Sequence, residues 1–142
     1  MKTLASALGM ALLLAACGGN KPRSPIDGTW HAVGTGGTGQ NGQFDFTITL
    51  SSTSNTGLNI TNSTFPGSNL CFLDPSGISG TFNAATGAFH LAMSGATQRA
   101  TEQLNGTLNG NTITGTWTLT SVYLQCVPFG GNDSGPFTMT KQ

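Results

Sequence analysis

Charge is scarce in this 142-residue chain, since Lys, Arg, Asp and Glu together make up 7% of it and the formal net charge is zero. Average soluble domains carry about 25% charged residues. The few basic residues are spread along the chain, so they cannot form the basic patch that nucleic-acid binding requires. The same scarcity excludes an electrostatic attachment to acidic lipids. We therefore expect no nucleic-acid partner.

Catalytic and metal-binding patterns are also lacking. The two histidines, His31 and His90, lie in no recognised histidine motif. The acidic residues are scattered, with no local pair that would supply a general acid and a general base. The segment Gly130–Gly135 is one imperfect copy of a calcium-binding Gly/Asp repeat that works in tandem arrays, so we interpret it as a plain turn. We predict no catalytic residue, no metal and no cofactor.

Long apolar runs are confined to the N-terminus, where residues 4–14 follow the basic residue Lys2. This run is too short to span a bilayer, which takes about 20 residues, but it has the form of a signal peptide. It ends in Leu14-Ala15-Ala16-Cys17, which resembles the lipobox of bacterial lipoproteins. The resemblance implies a cleaved signal peptide over residues 1–16 and a lipidated Cys17. An ordinary secretory signal with a chance cysteine, or an uncleaved helix, is the alternative.

The lipoprotein resemblance also implies a location in the bacterial cell envelope, with the membrane as partner through the Cys17 anchor. Gly18 stands where an Asp would favour retention in the inner membrane, which is compatible with the outer membrane. Residues 17–25 are Gly- and Pro-containing and are predicted to be the lipidated cysteine and a flexible tether. Residues 26–142 are then one β-barrel domain, of a size that can bury a core.

Cys71 and Cys126 are the remaining cysteines. Outside the cytoplasm two leftover cysteines most often pair, and neither lies in a Cys-x-x-Cys motif. We predict a disulfide between them, with metal ligation or free thiols as the alternatives.

After the leader, apolar residues recur with a period of two rather than the 3.6 of a helix. In Phe44–Leu50 and Ile113–Thr120 apolar or small residues alternate with Asp and Thr, and Asn109-Gly110 is a strong hairpin signal between two such runs. We predict an all-β antiparallel meander of eight or nine strands, closed or nearly closed into a small barrel. The strands are expected near residues 26–33, 43–51, 57–61, 70–73, 77–83, 87–94, 101–109, 111–122 and 136–141, with residues 125–136 as a loop.

Alternation assigns five aromatic residues to the inside of this barrel and both histidines to the outside. The aromatic residues either fill the core or line a pocket for an apolar ligand, and the small size of the domain favours a filled core. They are Trp30, Phe46, Phe82, Phe89 and Trp117.

A pattern of aliphatic-x-Gly-Thr-large residue occurs four times, at residues 26–30, 78–82, 104–108 and 113–117. An inward Gly lets a strand bend sharply or lets a neighbouring ring lie over it. Gly28-Thr29-Trp30 resembles the opening of calycin barrels, the lipocalin and avidin group, and residues 115–120 resemble a late avidin-type strand. The resemblance implies the architecture alone, because the Thr-Asp-x-Tyr run of lipocalins is absent and avidin's biotin-binding set has no residue-by-residue counterpart.

These features together predict a lipid-anchored, non-catalytic lipoprotein outside the cytoplasm that binds a small apolar ligand or an envelope protein. Two alternatives stay open at this point. One is an inhibitor of a hydrolase that attacks the envelope, such as a lysozyme or a protease. The other is a purely structural envelope lipoprotein.

Overall fold

A computed structural model describes residues 23–37, 44–53, 56–65, 75–95, 100–121 and 131–142 of the chain. Within these ranges the regular structure is all β, and no helix has the length and apolarity to cross a membrane. The eight strands are β1 (Gly28–Gly34), β2 (Phe44–Ser52), β3 (Leu58–Thr64), β4 (Pro75–Phe82), β5 (Ala88–Gly95), β6 (Ala100–Asn109), β7 (Thr112–Ser121) and β8 (Gly131–Lys141).

The strands form one antiparallel sheet in the order β3-β2-β1-β8-β7-β6-β5-β4, in which β1 pairs with β8. The edge strands β3 and β4 meet through an isolated bridge between Gly57 and Thr81 and a hydrogen bond from Phe82 N to Thr56 O of 3.0 Å. The barrel is therefore nearly closed, and the predicted small antiparallel barrel is confirmed.

The barrel has two different ends. The hairpin end contains the connections after β2, β4 and β6, the start of β1 and the finish of β8. The loop end is the opposite end of the barrel, where β1, β3, β5 and β7 finish and where β2, β4, β6 and β8 begin. The β6–β7 turn at the hairpin end consists of Gly110 and Asn111, and Gly110 has φ of 60°. A glycine at the first central position with positive φ is typical of a type II′ hairpin, and the hairpin that the Asn109-Gly110 signal predicts is confirmed.

The hairpin end is tied together by the residues that enter β1. Trp30 is fully buried and its Nε1 donates to the Ile26 carbonyl at 2.8 Å. Lys141 donates from Nζ to the Pro25 carbonyl at 2.9 Å and lies 5.6 Å from the centroid of the Trp30 ring. Asp27 accepts from Ser52 N at 2.7 Å through Oδ1. These contacts join both chain ends of the barrel to β2, so this end is filled and cross-linked.

A row of cross-strand neighbours that consists of aromatic rings and glycines crosses the sheet. Gly106 and Gly115 face each other on β6 and β7, with Phe89 beside Gly106 and Phe137 beside Gly115. A Cβ at Gly106 would lie 2.9 Å from Phe137 Cζ, so the ring occupies the space that a side chain would take. The inward glycines of the repeated pattern thus make room for core rings.

One predicted boundary is wrong. Residues 131–135, assigned to a loop and a Gly/Asp turn, belong to β8 and pair with β7 from Ser121–Gly131 to Trp117–Gly135. Pairing along the full length of β7 outweighs the turn preference of Gly, Asn, Asp and Ser. The predicted strand at residues 70–73, the leader and all three cysteines, Cys17, Cys71 and Cys126, lie outside the described residues.

Candidate ligand site at the loop end of the barrel

The five aromatic residues assigned to the interior are all buried, with exposed fractions of 3% or less. They do not form one cluster, because Trp30 lies at the hairpin end and Trp117 lies towards the loop end. Aliphatic side chains fill the space between them, among them Ile48, Leu91 and Leu104, each fully buried. The described interior is therefore a packed core through its middle and hairpin end.

Trp117 closes this core from the side of the loop end. Its Nε1 donates to the Thr35 carbonyl at 3.1 Å, and its ring meets Phe44 edge-on with centroids 6.2 Å apart. Two glycines leave space for the indole, since a Cβ at Gly135 would lie 2.8 Å from Nε1 and one at Gly37 would lie 3.0 Å from Cη2. The indole is thus held by the residues that follow β1 and by β8.

Buried polar side chains occur beyond Trp117. Those among the described residues are Glu102, Ser121 and Asp133, with exposed fractions of 2%, 2% and 6%. They come from three consecutive strands of the sheet, β6, β7 and β8. Glu102 is opposite Leu119, and Leu119 is opposite Asp133, so the two acids flank one leucine in a single row. The inner wall therefore changes from apolar to polar between Trp117 and the loop end.

Glu102 is the exceptional member of this set. Its cross-strand neighbours are Met93 and Leu119, both buried, and its Oε2 has no hydrogen-bond partner. Burial without a compensating partner disfavours the ionised form, and it raises the pKa of the carboxyl to about 8. At neutral pH this side chain is therefore mostly a neutral carboxylic acid that can donate one hydrogen bond.

Asp133 is held differently. Its Oδ1 accepts from Ser134 N at 2.9 Å, and its Oδ2 faces the backbone of Gly37. Gly37 has φ of 94°, and a Cβ there would lie 2.6 Å from Oδ2, so a larger residue does not fit. Gly37, which follows β1, consequently lies directly against Asp133, one of the two inward acids.

The sequence interpretation missed this polar group. The sequence pattern places Leu104, Gly106 and Leu108 on the inner face of one strand. The same period of two, extended back by two residues, also places Glu102 on that face. Asp133 was missed because its segment was assigned to a turn. Both residues could have been found by extending the strand pattern into polar sequence.

The outer wall carries the two histidines, as alternation indicates. His31 Nε2 lies 2.7 Å from Asp45 Oδ1 on an exposed part of β1 and β2. Two surface grooves of about 390 and 560 Å³ lie on the wall; Asp133 lines the first of them, and Glu102 lines neither. Among the described residues, no group of three or more His, Cys, Asp or Glu is placed to hold a metal ion.

The strand order and register define an eight-stranded antiparallel barrel that is nearly closed. A solved structure titled "Structure of apo Bradavidin2 (Form B)" is similar, with a TM-score of 0.52 and 17% sequence identity over 81% of this chain and 96% of that one. No family model and no curated protein matches the sequence. At this identity the likeness shows the fold, and the site must be argued from its own residues.

Proposed function

We propose that this chain is a non-catalytic binding protein of the bacterial cell envelope, anchored by lipid at Cys17, whose barrel takes a small ligand at the loop end. The observation that carries the proposal is the buried Glu102, whose Oε2 has no hydrogen-bond partner in an interior that is mostly apolar. An unsatisfied buried polar group costs about 1–3 kcal/mol of stability. Such a cost is typical of a group retained for function.

The same residues indicate what kind of molecule fits. Trp117, Leu119 and Met93 offer an apolar surface, and Glu102, Ser121 and Asp133 offer hydrogen-bonding groups in the same part of the wall. Ligand sites commonly combine a mostly apolar lining with a few placed polar groups. We infer an amphipathic ligand with a small apolar body and one polar group, which refines the purely apolar ligand that the aromatic residues suggest.

A fragment screen followed by ¹H–¹⁵N NMR tests this site. We expect bound fragments to shift the amides around Glu102, Ser121 and Asp133, at the loop end of β6, β7 and β8. The amides of Trp30, Ile48 and Gly110 at the hairpin end provide the internal reference and should hardly move. Shifts confined to the hairpin end, or to outward groove residues such as Gln103 and Thr118 without Glu102 and Ser121, would place the site elsewhere. A screen with no bound fragment would contradict small-ligand binding.

The anchor is tested by replacing the cysteine of the lipobox. Cys17→Ser should release the protein from membranes, because the lipid has no other attachment point in the motif. Gly18→Asp is the matched control, since it leaves the cysteine intact and should remain in the membrane fraction after a high-salt wash. If Cys17→Ser is processed normally and still sediments with membranes, the lipid-anchor proposal is wrong.

The remaining cysteines are tested separately. We propose a Cys71–Cys126 disulfide, supported by the oxidising compartment that the leader implies. Non-reducing peptide mapping of protein isolated from the envelope should recover the two cysteine peptides cross-linked. Two alkylatable thiols in the native protein would contradict the pairing.

A further inference from the structure

We propose that Asn109, at the β6–β7 turn, is a site of spontaneous deamidation by water. The inference is independent of the proposed ligand site, because it concerns the hairpin end of the barrel. It rests on two Asn-Gly pairs in and directly after β6, Asn105-Gly106 and Asn109-Gly110, each of which follows a leucine. The fold places these two pairs in different surroundings. A third pair, Asn41-Gly42, lies outside the described residues.

Deamidation begins with the backbone nitrogen of the residue that follows the asparagine. That nitrogen loses its proton and bonds to the side-chain Cγ, the Cγ–Nδ2 bond breaks, and the amide nitrogen leaves as ammonia after taking up a proton. Water then opens the cyclic imide at one of its two carbonyl carbons and gives aspartate or isoaspartate. Nothing is oxidised or reduced. The reaction needs an available backbone N–H and room for the peptide to rotate, and a following glycine hinders it least.

The Asn109-Gly110 pair meets both requirements. Asn109 and Gly110 are exposed, and the ladder between β6 and β7 closes at the pair of Asn109 and Thr112. Gly110 lies beyond this last pair, so the ladder does not hold its N–H. A Cβ at Gly110 would lie more than 4 Å from the described atoms outside its chain neighbours. The turn therefore has open space around the nitrogen that must move.

The Asn105-Gly106 pair has an exposed asparagine too, but its backbone is held. Gly106 pairs with Phe89 of β5 on one side and with Gly115 of β7 on the other. Its N–H therefore lies inside the sheet, where ladder hydrogen bonds engage it. A Cβ at Gly106 would lie 2.8 Å from the carbonyl oxygen of Thr114, so the neighbouring strand leaves the peptide little room to rotate.

The reaction changes the hairpin end in two ways. Either product adds one negative charge to a chain whose formal net charge is zero. Isoaspartate also lengthens the main chain by one carbon, at a turn that joins β6 to β7 through Gly110 and Asn111 alone. The carbonyl of Asn111 accepts from Lys141 N at 3.0 Å, so a longer turn also disturbs the contact between this hairpin and the end of β8.

The test incubates the purified full chain at pH 8 and follows both asparagines by peptide mapping with mass spectrometry. Chymotrypsin cleavage after Leu104 and Leu108 places the two Asn-Gly pairs on separate peptides. In the folded protein Asn109 should react about tenfold or more faster than Asn105, because the sheet around Gly106 must open first. In concentrated urea the two rates should become similar, because both pairs have the same preceding residue.

Asn109→Gln is the control variant, because a glutamine must close a larger ring and therefore reacts far more slowly. The variant should lose the fast deamidation of the peptide that begins at residue 109. The slow reaction at Asn105 should be unchanged, since that pair stays within the same ladder.

Two results would overturn the inference. One is an equal rate at Asn105 and Asn109 in the folded protein, which would show that the ladder does not control the reaction. The other is an Asn109 that stays intact in the folded protein while both asparagines react in urea, which would show that the turn is held as firmly as the strand. Neither result bears on ligand binding at the loop end.

Discussion

The strands alternate inward and outward residues at both ends of the barrel, but the inward residues differ in polarity between the two ends. At the hairpin end the described inward positions are apolar or have their polar atoms satisfied, as with Trp30 Nε1 on the Ile26 carbonyl, and the exposed Lys141 Nζ donates to the Pro25 carbonyl. At the loop end Glu102 is buried with an oxygen that has no partner. Packing and polar satisfaction stabilise the first end, whereas the second carries a cost that folding alone does not explain.

The comparison separates residues that hold the barrel from residues that border the proposed ligand site. Trp30 and Trp117 are equally buried, but Trp30 lies against the filled hairpin end and Trp117 borders the polar wall. Burial by itself therefore does not distinguish a core ring from a ring that lines a site. The effects of pH and of single substitutions on stability distinguish the residues of one end from those of the other.

The largest expected effect is a loss of stability as the pH rises. The pKa of Glu102 is raised in the folded protein from 4.5 to about 8, so the folded state holds a proton that the unfolded state has lost. Its contribution is complete below pH 4.5 and is lost as the pH rises from there through about 8. The loss amounts to about 5 kcal/mol.

Urea unfolding of the wild type and of Glu102→Gln at a series of pH values measures this contribution. The difference between the two proteins isolates Glu102 from all other titrating groups. Asp27 does not interfere, because hydrogen bonds from Ser52 and Ser24 outweigh its own desolvation and lower its pKa, which moves its titration to more acidic solution. A wild-type stability that is level between pH 5 and 8 relative to Glu102→Gln would show that the carboxyl is solvated.

The second effect compares the two tryptophans. Trp30→Ala and Trp117→Ala should each cost about 3–5 kcal/mol, with Trp30→Ala at the upper limit because the hairpin end cannot admit water to the cavity. Trp117→Ala enlarges the space beside the polar wall and should be the milder change. Thermal melts of both variants give the order, and a larger loss for Trp117→Ala would mean that both ends are packed alike.

A third substitution should stabilise the protein. Glu102→Met replaces the buried carboxyl with an apolar side chain of similar length next to Met93 and Leu119, and it should raise stability by about 1–3 kcal/mol at pH 7. The same variant should lose ligand binding at the loop end. Denaturant midpoints and the NMR fragment assay measure the two outcomes, and a destabilised Glu102→Met would indicate that the carboxyl has a structural partner.

The smallest effect serves as the control for register. Thr118 is exposed on the outer wall between the buried Trp117 and Leu119, so Thr118→Ala should change stability by less than about 0.5 kcal/mol. A melt beside that of Trp117→Ala makes the comparison. If Thr118→Ala were the more damaging change, the inward set assigned to β7 would be wrong by one residue.

Much of the fold could be predicted because alternation is strong wherever a strand has one apolar face. In Phe44–Leu50 and Ile113–Thr120 the period of two marks strands, and the structure places them in β2 and β7. Residues 131–135 lack large apolar side chains, so their place in β8 depends on pairing with β7, which sequence alone does not display.

The candidate site was less accessible to prediction for a related reason. Pattern reasoning assigns apolar residues to the inside and treats an acid as an outward residue. Glu102 lies at an inward position in the alternation of β6, although an acid is expected to face outward. This disagreement between position and polarity distinguishes Glu102 from its neighbours. Strand positions where register and polarity disagree are therefore the places to search first for function.

The edge strand β3 has a consequence for how the protein behaves at high concentration. Its pairing with β2 shifts register between Thr47 and Thr49, and Asn62 adopts a left-handed φ of 50°. An exposed, regular edge would invite a second molecule to add its own strand. An irregular edge built from Asn, Ser and Thr is a poor template for such addition, so we expect crowded copies of this barrel to resist sheet-to-sheet aggregation.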